Sequence, residues 1–490
     1  MNFSVPSEKE VRAAYAEGEE AVVALFSSIT AQVENLAAQS AKQSEILKDL
    51  QARLSKNSRN SGKPPSSDGY GKAKRTESLR ESGRKPNGGQ PGHQGHTLER
   101  SAAPDSTERY KPEECAACKM SLADVVAVGE EERQVYDIPA IRIEVTSHRA
   151  EIKICPGCGT ENRGKFPENV GQGIRYGTGV KTWAAYFANQ HHIPLERAAQ
   201  IIEDLTGHSV SEGSLLKASE ELCGCVRPST EAVEKLLMNT DVLHADESGV
   251  RVKGKLHWLH VASTNCLTHY SVHEKRGKEA MDAAGILGKF TGTATHDHWK
   301  SYFSYENCGH ALCNAHHLRE LKFIEKQYGQ VWADEMAELL LEIKGAAEKL
   351  KPDRDGFTPE KIEEFERRYD EIVRRGFADN PFTPPKEKKR GRVKKTPPLN
   401  LLTRMRDYRA ETLAFMYDFR VPFDNNAAER DVRMIKVKQK VSGCFRTLEG
   451  AERFACIRGY ISTVRKNSRN IFEAIKDAFL GSPFIPDAAV

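Results

Sequence analysis

Three acidic residues occupy positions that suit chemistry on phosphate groups. Asp246 falls near the centre of a predicted strand, Asp297 ends another, and Glu429 lies on a predicted helix. Strands disfavour aspartate, so a carboxylate within one is either paired or takes part in chemistry. Three oxygen ligands suit Mg²⁺ or Mn²⁺, which leave positions for water and substrate phosphate. Two such ions stabilise the attacking and leaving oxygens of a phosphoryl transfer.

The helix that carries Glu429 is predicted from the stretch VPFDNNAAERDVR at residues 421–433. Its Asp and Asn residues, Asn426 among them, favour a helix start because their side chains accept from free backbone N–H groups. Spacings of four, seven and eleven place four charged residues on one face: Glu429, Arg433, Lys436 and Lys440. A carboxylate beside a cationic stripe suits a group that holds a metal while phosphates lie alongside, with Asn426 and Arg433 as its neighbours. The alternative is a solvated amphipathic helix with a Glu429–Arg433 ion pair.

Strands are predicted to position the two aspartates. Residues 241–262 read as a hairpin, and residues 267–272 add a third antiparallel strand. After a helix at 277–287, residues 292–297 form a fourth strand that ends at Asp297. Ligands bind at the C-terminal ends of strands in α/β sheets. Because about 130 residues separate Asp297 from Glu429, a mostly helical insertion is predicted between them, with a basic, proline-rich loop at 381–398.

Two C-x-x-C pairs predict a structural zinc site. The cysteines are Cys115, Cys118, Cys155 and Cys158, and alternating apolar residues between the pairs predict strands at 125–128, 134–138 and 141–154. Four thiolates hold zinc tetrahedrally and leave no open position for chemistry. Unpaired buried thiols are the alternative. The irregular spacing of Cys308, Cys313, His316 and His317 is only a weak indication of a second zinc site.

The N-terminal part of the chain predicts an association helix followed by a linker. Residues from Val22 to Leu54 form a seam that steps by alternating four and three and is apolar except at Ser40 and Gln43. This pattern is typical of a coiled coil or helical hairpin that oligomerises the chain. Packing back on the same chain is the alternative. The stretch that follows is rich in Ser, Gly, Pro and Lys and predicts a flexible basic linker.

Two helices joined by a short turn are a helix-turn-helix candidate. The first is predicted at 194–205 and ends before Gly207, and the second begins at a capping box formed by Ser209 and Glu212. Many helical pairs share this pattern, so DNA recognition and ordinary packing remain equal alternatives for them.

Composition limits the class of protein. With 490 residues there is room for about three domains, and the net charge of +4 does not by itself indicate a nucleic-acid partner. Basic runs at 56–85, 386–395 and 430–440 nevertheless favour a polyanion, and Arg430, Lys436 and Lys440 are the predicted DNA contacts. No secretory signal or long apolar run is apparent, and eleven cysteines without a signal indicate a reducing, cytoplasmic compartment.

Six features in this order along the chain resemble a bacterial transposase of the insertion sequence 66 family. They are LSKNSRNSGKPPSSDG (54–69), the two C-x-x-C pairs, LHADESGVRV (243–252), HDHWKSY (296–302), CNAHHLREL (313–321) and VPFDNNAAERDVR (421–433). The resemblance implies a ribonuclease H-like catalytic fold whose DDE-type acidic triad is Asp246, Asp297 and Glu429. It also implies zinc at the four cysteines and His316 as an active-site neighbour. One departure is local: where the family commonly reads Thr-Asp-Gly, this chain has His-Asp-His at 296–298.

The resemblance further implies double-stranded DNA as partner, both the terminal repeats of the element and its target, a homo-oligomer, and small accessory proteins encoded by the same element. A nucleoid-associated bacterial location follows. Two alternatives remain open: a zinc-ribbon and helix-turn-helix regulator whose acidic residues are only structural, and a nuclease on the same fold.

We therefore predict a multidomain α+β chain. Its parts are an N-terminal coiled-coil helix (1–55), a flexible basic linker (56–105), a zinc-binding ribbon (106–165), a helix-turn-helix-like helical region (166–235), a ribonuclease H-like α/β catalytic domain (236–440) with a helical insertion at about 318–417, and a C-terminal helical tail (441–490).

Overall fold

The computed structural model describes residues 6–55, 97–167, 170–382 and 395–487. It shows a mixed α+β chain, as predicted. Most of the linker predicted at 56–105, together with the basic run at 56–85 and most of the loop at 381–398, lies outside the described residues.

The N-terminal region is helical, as its composition predicted. Helix α1 spans Glu8–Glu17, and Gly18, with a φ of +112°, separates it from the 37-residue helix α2 at Glu19–Ser55. Apolar side chains of the predicted seam are exposed on α2, among them Phe26 at 67% and Val33 at 51%. The described part of this chain therefore leaves the seam uncovered, and its oligomeric role stays a prediction.

Part of α2, Glu19–Ser44, is long and apolar enough to cross a membrane by length and composition alone. No long apolar run was apparent in the sequence, and this helix qualifies that expectation. This is weak evidence for a membrane span, because helices of soluble proteins pass the same test. Gln32, Glu34 and Asn35 lie near the middle of the stretch, where hydrocarbon disfavours charged and polar side chains.

The cysteine-containing region forms less β-structure than the alternating pattern predicted. Strands β1 (Ile152–Ile154) and β2 (Glu161–Arg163) pair antiparallel around the second C-x-x-C turn. The strands predicted at 125–128 and 134–138 are absent, and Val126 and Val135 are more than 80% exposed. Alternation predicts a strand only where a neighbouring strand and a core cover its apolar face, and here neither is present.

Helices α3 to α6 follow, and they include the predicted helix pair. Their bounds are Thr178–Ala185 (α3), Leu195–Thr206 (α4), Glu212–Cys225 (α5) and Arg227–Leu237 (α6). Gly207 ends α4 in the left-handed region with a φ of +70°. The capping prediction was two residues off: Ser211, not Ser209, accepts from the N–H of Ser214 at the start of α5.

A five-stranded sheet forms the centre of the molecule. Its strands are β3 (Val242–Val252), β4 (Lys255–Ser263), β5 (Thr268–His273), β6 (Thr293–His296) and β7 (Gly309–Leu312), with α7 (Lys278–Ala284) before β6. The order is β5-β4-β3-β6-β7, in which β5, β4 and β3 pair antiparallel and β6 and β7 run parallel to β3. Lys253 and Gly254 both have positive φ in the two-residue β3–β4 turn, as a tight hairpin requires. The first four strands were predicted, and β7 was not.

Nine helices complete the described chain after β7. They are α8 (Asn314–Tyr328), α9 (Val331–Leu350), α10 (Pro359–Asp379), α11 (Pro397–Asp407), α12 (Arg409–Thr412), α13 (Ala414–Tyr417), α14 (Asn426–Ser442), α15 (Leu448–Lys466) and α16 (Ile471–Phe479). Helices α8 to α13 pack around their own core, which includes Trp332 and Tyr369. A helical insertion between Asp297 and Glu429 is thus present in the described residues.

Helices cover both faces of the sheet. On one face, Leu243 and Ala245 of β3 pack with Met281 and Phe290. On the other face, Val250 and Val261 pack against residues of α14 and α15. Successive residues of a strand point to opposite faces, so Asp246 and Val250 face α14 and α15.

Helix α15, within the helical tail predicted at 441–490, belongs to the core of the fold. Its side chains are mostly buried, and it packs on β5, α5 and α16. Arg458 on this helix is 3% exposed and donates to the Gln190 side chain at 2.8 Å. A run of apolar residues at helical spacing on both sides of the helix accounts for this burial.

Candidate active site

Asp246 lies in the middle of the central strand, on the face that carries α14. It pairs with Val261 of β4, and its Oδ1 accepts the N–H of Glu247 at 2.8 Å. Burial, together with the carboxylates of Glu247, Asp297 and Glu429, raises the pKa of Asp246 well above its usual value. This position therefore disfavours the charged form of the Asp246 carboxyl group unless a cation binds beside it.

Asp297 follows directly after β6, which runs parallel to β3. Their register pairs His244 with Thr295, and continuing it by two residues places Asp297 level with Asp246. Its Oδ1 accepts the N–H of Trp299 at 2.9 Å. Burial and the carboxylate of Glu247 raise the pKa of Asp297 to about 7, against the opposing effect of Arg276.

Glu429 reaches the same place from α14, and Asn425 fixes where that helix begins. The buried Asn425 side chain donates to the Ala245 carbonyl at 2.7 Å and lies 2.9 Å from His244 Nδ1. These contacts tie the start of α14 to β3, one residue from Asp246. Glu429 is therefore held above the strand rather than on an exposed amphipathic face. The sequence identified the polar cap but not this role of Asn425.

The three acidic residues line one cavity of about 420 Å³. The other residues that line it are Glu247, Ser248, Arg276, His298, Trp299, Leu312, Cys313, His316, His317, Arg319, Glu320, Arg404, Val432, Arg433 and Lys436. Neither Asp246 nor Asp297 forms an ion pair with any residue that the structure describes. The cavity thus brings carboxylates together with several cationic side chains.

Glu429 is 17% exposed and meets three cationic or potentially cationic groups without a hydrogen bond to its Oε1. Arg319 Nη2 lies 3.6 Å from Oε1, His316 Nε2 lies 3.9 Å from it, and Arg433 Nη2 lies 3.9 Å from Oε2. Burial and the nearby guanidinium groups of Arg319 and Arg404 lower the pKa of His316 to about 4. His316 is therefore a neutral neighbour of Glu429.

A buried ion pair beside the cavity was not anticipated from the sequence. Arg276 donates from Nε and Nη2 to Glu247 Oε1, at 2.9 and 2.5 Å, and Tyr302 donates to Oε2 at 2.5 Å. The guanidinium also lies over the rings of Trp258 and Trp299, at 4.9 and 4.2 Å. Only the acidic character of Glu247, next to Asp246 in the strand, was a signal in the sequence.

The predicted phosphate and DNA contacts fall into two groups. Lys436 lines the cavity, where it donates to the Gly249 carbonyl at 3.1 Å and burial lowers its pKa. Arg433 is 67% exposed at the rim. Arg430 and Lys440 are exposed and do not line the cavity, and neither does Asn426, whose N–H donates to Asp424.

The four predicted zinc ligands form two matching turns. In the first, Cys115 N–H donates to the Met120 carbonyl and its own carbonyl accepts from Lys119; in the second, Cys155 makes the same pair of bonds with Thr160 and Gly159. Each turn brings two thiols together, yet no three of the four sulfur atoms lie within 4.8 Å of one another in the described chain. The four-thiolate site stays a prediction.

Comparison with family models places the chain among DNA-processing enzymes. Residues 173–453, more than half of the chain and all of the cavity, match the model of the Transposase IS66 family. The chain belongs to this family, and the resemblance found in the sequence is confirmed. Residues 4–99 match a family of unknown function, and no curated protein matches the chain. Membership in the family implies DNA binding and the use of divalent metal ions.

Proposed function

We propose that this transposase cleaves the ends of an insertion sequence and joins the resulting 3′-hydroxyls to target DNA, with Asp246, Asp297 and Glu429 as the ligands of Mg²⁺ or Mn²⁺. The observation that carries the proposal is the convergence of these three carboxylates, from two adjacent parallel strands and one helix, on a single cavity. Carboxylates that lie close together repel one another and lower the stability of the fold. Such clusters are typical of sites that hold a cation or carry out chemistry.

The residues present fit a divalent cation. The pKa values of Asp246 and Asp297 are raised by burial and by neighbouring carboxylates, and Glu429 Oε1 is buried without a hydrogen-bond partner. A cation that binds all three carboxylates would stabilise the charged forms of Asp246 and Asp297 and give Glu429 Oε1 a partner. When bound, Mg²⁺ or Mn²⁺ would stabilise charge on the attacking and leaving oxygens of phosphoryl transfer.

The other side chains of the cavity would bind and orient DNA. Lys436 and Arg433 lie on the α14 face beside Glu429 and would contact phosphate oxygens. The Glu247–Arg276 pair holds together β3, which carries Asp246, and the segment after β5. Sheet order β5-β4-β3-β6-β7, with three antiparallel strands followed by two parallel ones, supports a ribonuclease H-like architecture for this domain.

Further parts of the proposal concern assembly. We infer that the four cysteines hold a structural Zn²⁺ and that the exposed apolar seam of α2 joins copies of the chain. DNA, and small accessory proteins of the same element, would be the partners of a cytoplasmic, nucleoid-associated protein.

Two experiments test these inferences. Chelation of Zn²⁺ should loosen residues 106–165, and removal of residues 1–54 should lower the mass measured by light scattering. Unchanged protease resistance, or an unchanged mass, would reject the respective inference.

A strand-transfer assay tests the catalytic proposal. Pre-cleaved element ends, plasmid target and Mg²⁺ are incubated with the wild type and with Glu429→Gln. Joined products from the wild type alone are expected. Cutting without joining would favour a nuclease, and tight binding without either activity would favour a DNA-binding regulator.

A further inference from the structure

A second set of metal donors lies in the cavity wall, at the start of α8. Cys313 Sγ, a ring nitrogen of His316 and a carboxylate oxygen of Glu429 all lie within 4.8 Å of one another. Among the described residues this is the one group of three or more His, Cys, Asp or Glu donors with that proximity. It combines a thiol, an imidazole and a carboxylate, a mixture unlike the three carboxylates described above.

Local structure holds these donors in place. Cys313 is the residue before the first turn of α8, and His316 lies within that turn. The Cys313 sulfur accepts the N–H of Asn425 at 3.2 Å, and the N–H of Asn314 donates to the Phe423 carbonyl at 3.0 Å. Two hydrogen bonds thus join the start of α8 to the segment that leads into α14, which carries Glu429.

We propose that Cys313, His316 and Glu429 form an open, three-ligand site for a transition-metal ion of the Zn²⁺ class. Thiolate and imidazole are ligands that Zn²⁺ prefers and Mg²⁺ does not. Tetrahedral Zn²⁺ sites place their donor atoms about 3.5 Å apart, and His316 Nε2 already lies 3.9 Å from Glu429 Oε1. On binding, the ion displaces the proton of the Cys313 thiol to solvent.

The unfilled hydrogen-bonding capacity of the site supports this assignment. Glu429 Oε1 and His316 Nδ1 are buried without a partner, although buried polar atoms normally have one. Arg319 faces the same carboxylate oxygen at 3.6 Å, beyond hydrogen-bond length. Its side chain is 29% exposed, so it can turn to solvent when a metal binds.

Three protein ligands leave a fourth position, and this position opens into the cavity that all three residues line. A water molecule or a phosphate oxygen would complete the tetrahedron. Because Glu429 belongs to both donor sets, an ion at this site competes for the carboxylate that the Mg²⁺ site needs. This competition rests on the proposed function, because it requires the Mg²⁺ site. Binding of an ion by Cys313, His316 and Glu429 does not.

Cobalt substitution in the full-length protein tests the site directly. The purified protein, depleted of metal until one Zn²⁺ per chain remains, is titrated with Co²⁺, whose bond to a thiolate gives a charge-transfer absorption band. The wild type should bind one added Co²⁺ per chain with such a band. Cys313→Ser should lose the band, and His316→Gln should weaken Co²⁺ binding at least tenfold. Cys308→Ser, a buried cysteine outside the trio, is the matched control and should keep both.

Absence of the band in the wild type, or its persistence in Cys313→Ser, would overturn the assignment. Unchanged Co²⁺ affinity in His316→Gln would do the same if Cys313→Ser failed to fold. Asp246→Asn separates the two proposals: it should lose DNA cleavage and keep the cobalt band. Loss of the band there would contradict an independent site, whereas retained cleavage would count against the catalytic proposal alone.

Discussion

Asp246 and Glu247 are neighbours on β3, and the two faces of the strand give their carboxylates opposite surroundings. Glu247, with 1% of its side chain exposed, receives two hydrogen bonds from Arg276 and one from Tyr302. Asp246 receives one backbone N–H and faces other carboxylates across the cavity. Both carboxylates are removed from bulk water, but only that of Glu247 has a cation from the protein.

This difference separates a structural carboxylate from a candidate metal ligand. A buried charge must be compensated, either by the protein or by something that binds to it. Glu247 is compensated within the fold, so its loss should affect stability first. Asp246 and Asp297 are not, so their loss should affect metal binding and catalysis first. The predictions below test this separation from both sides.

The largest effect is expected from Asp246→Asn. Removing a proposed metal ligand should lower the rate of DNA cleavage by about a thousandfold or more, or about 4 kcal/mol of transition-state stabilisation. Binding of DNA ends should be preserved and the thermal unfolding midpoint should not fall, because no phosphate contact or native ion pair is lost. Gel-based cleavage and binding assays check this. Asp241→Asn, at an exposed ion pair with Arg420, is the control and should cleave normally.

Glu247→Gln should act in the opposite way. It leaves the Arg276 guanidinium without its carboxylate, which should lower the free energy of unfolding by about 3 kcal/mol. Thermal or denaturant unfolding measures the change. The double variant with Arg276→Gln should lose less than the sum of the two single changes, because the two charges interact directly with each other. A Glu247→Gln protein as stable as the wild type would contradict the structural role of Glu247 and its difference from Asp246.

The pH dependence of stability should follow the two aspartates. Folding raises their pKa values, so the folded state keeps protons that the unfolded chain releases above about pH 4. The resulting stabilisation is complete below that pH and is lost as the pH rises towards about 7, the pKa of Asp297. Without added divalent ions, the thermal unfolding midpoint should therefore fall as the pH rises from 4 to 7. The fall should be smaller in Asp297→Asn. Equal slopes in the two proteins would contradict the assignment.

The smallest effect is expected at Lys436, on the cavity wall. Lys436→Ala should weaken DNA binding by about three- to tenfold and reduce the salt dependence by about one phosphate contact. Filter binding at several salt concentrations measures both. Lys349→Ala, on the exposed side of α9, should leave both unchanged. A salt dependence unaltered by Lys436→Ala would indicate that this lysine serves only its bond to Gly249.

The sequence predicted those parts whose pattern is local. Strands β3 to β6, the helix of Glu429 and the helical insertion all follow from periodicity, turns and caps within a short stretch. Strand β7 was missed because four residues, Gly309–Leu312, are too few for a pattern. The strands predicted between the C-x-x-C pairs failed because alternation does not show whether a partner strand exists.

The candidate site divides in the same way. Acidic residues at unusual positions in strands and on a capped helix were visible one by one. Their supports were not, since Asn425 contacts a residue 181 positions away and Glu247 bonds to residues 29 and 55 positions away. Contacts of this kind depend on the packed fold and leave no signal in local spacing.

Metal-specificity rescue of Asp297→Cys tests the central claim most directly. A thiolate in place of the carboxylate is a poor ligand for Mg²⁺ and a better one for Mn²⁺. We expect the variant to lose DNA cleavage with Mg²⁺ and to regain it in part with Mn²⁺, whereas Asp297→Ala is inactive with both. Equal activity of Asp297→Cys with either ion, or no rescue by Mn²⁺ in a folded variant, would contradict the assignment of Asp297 as a metal ligand.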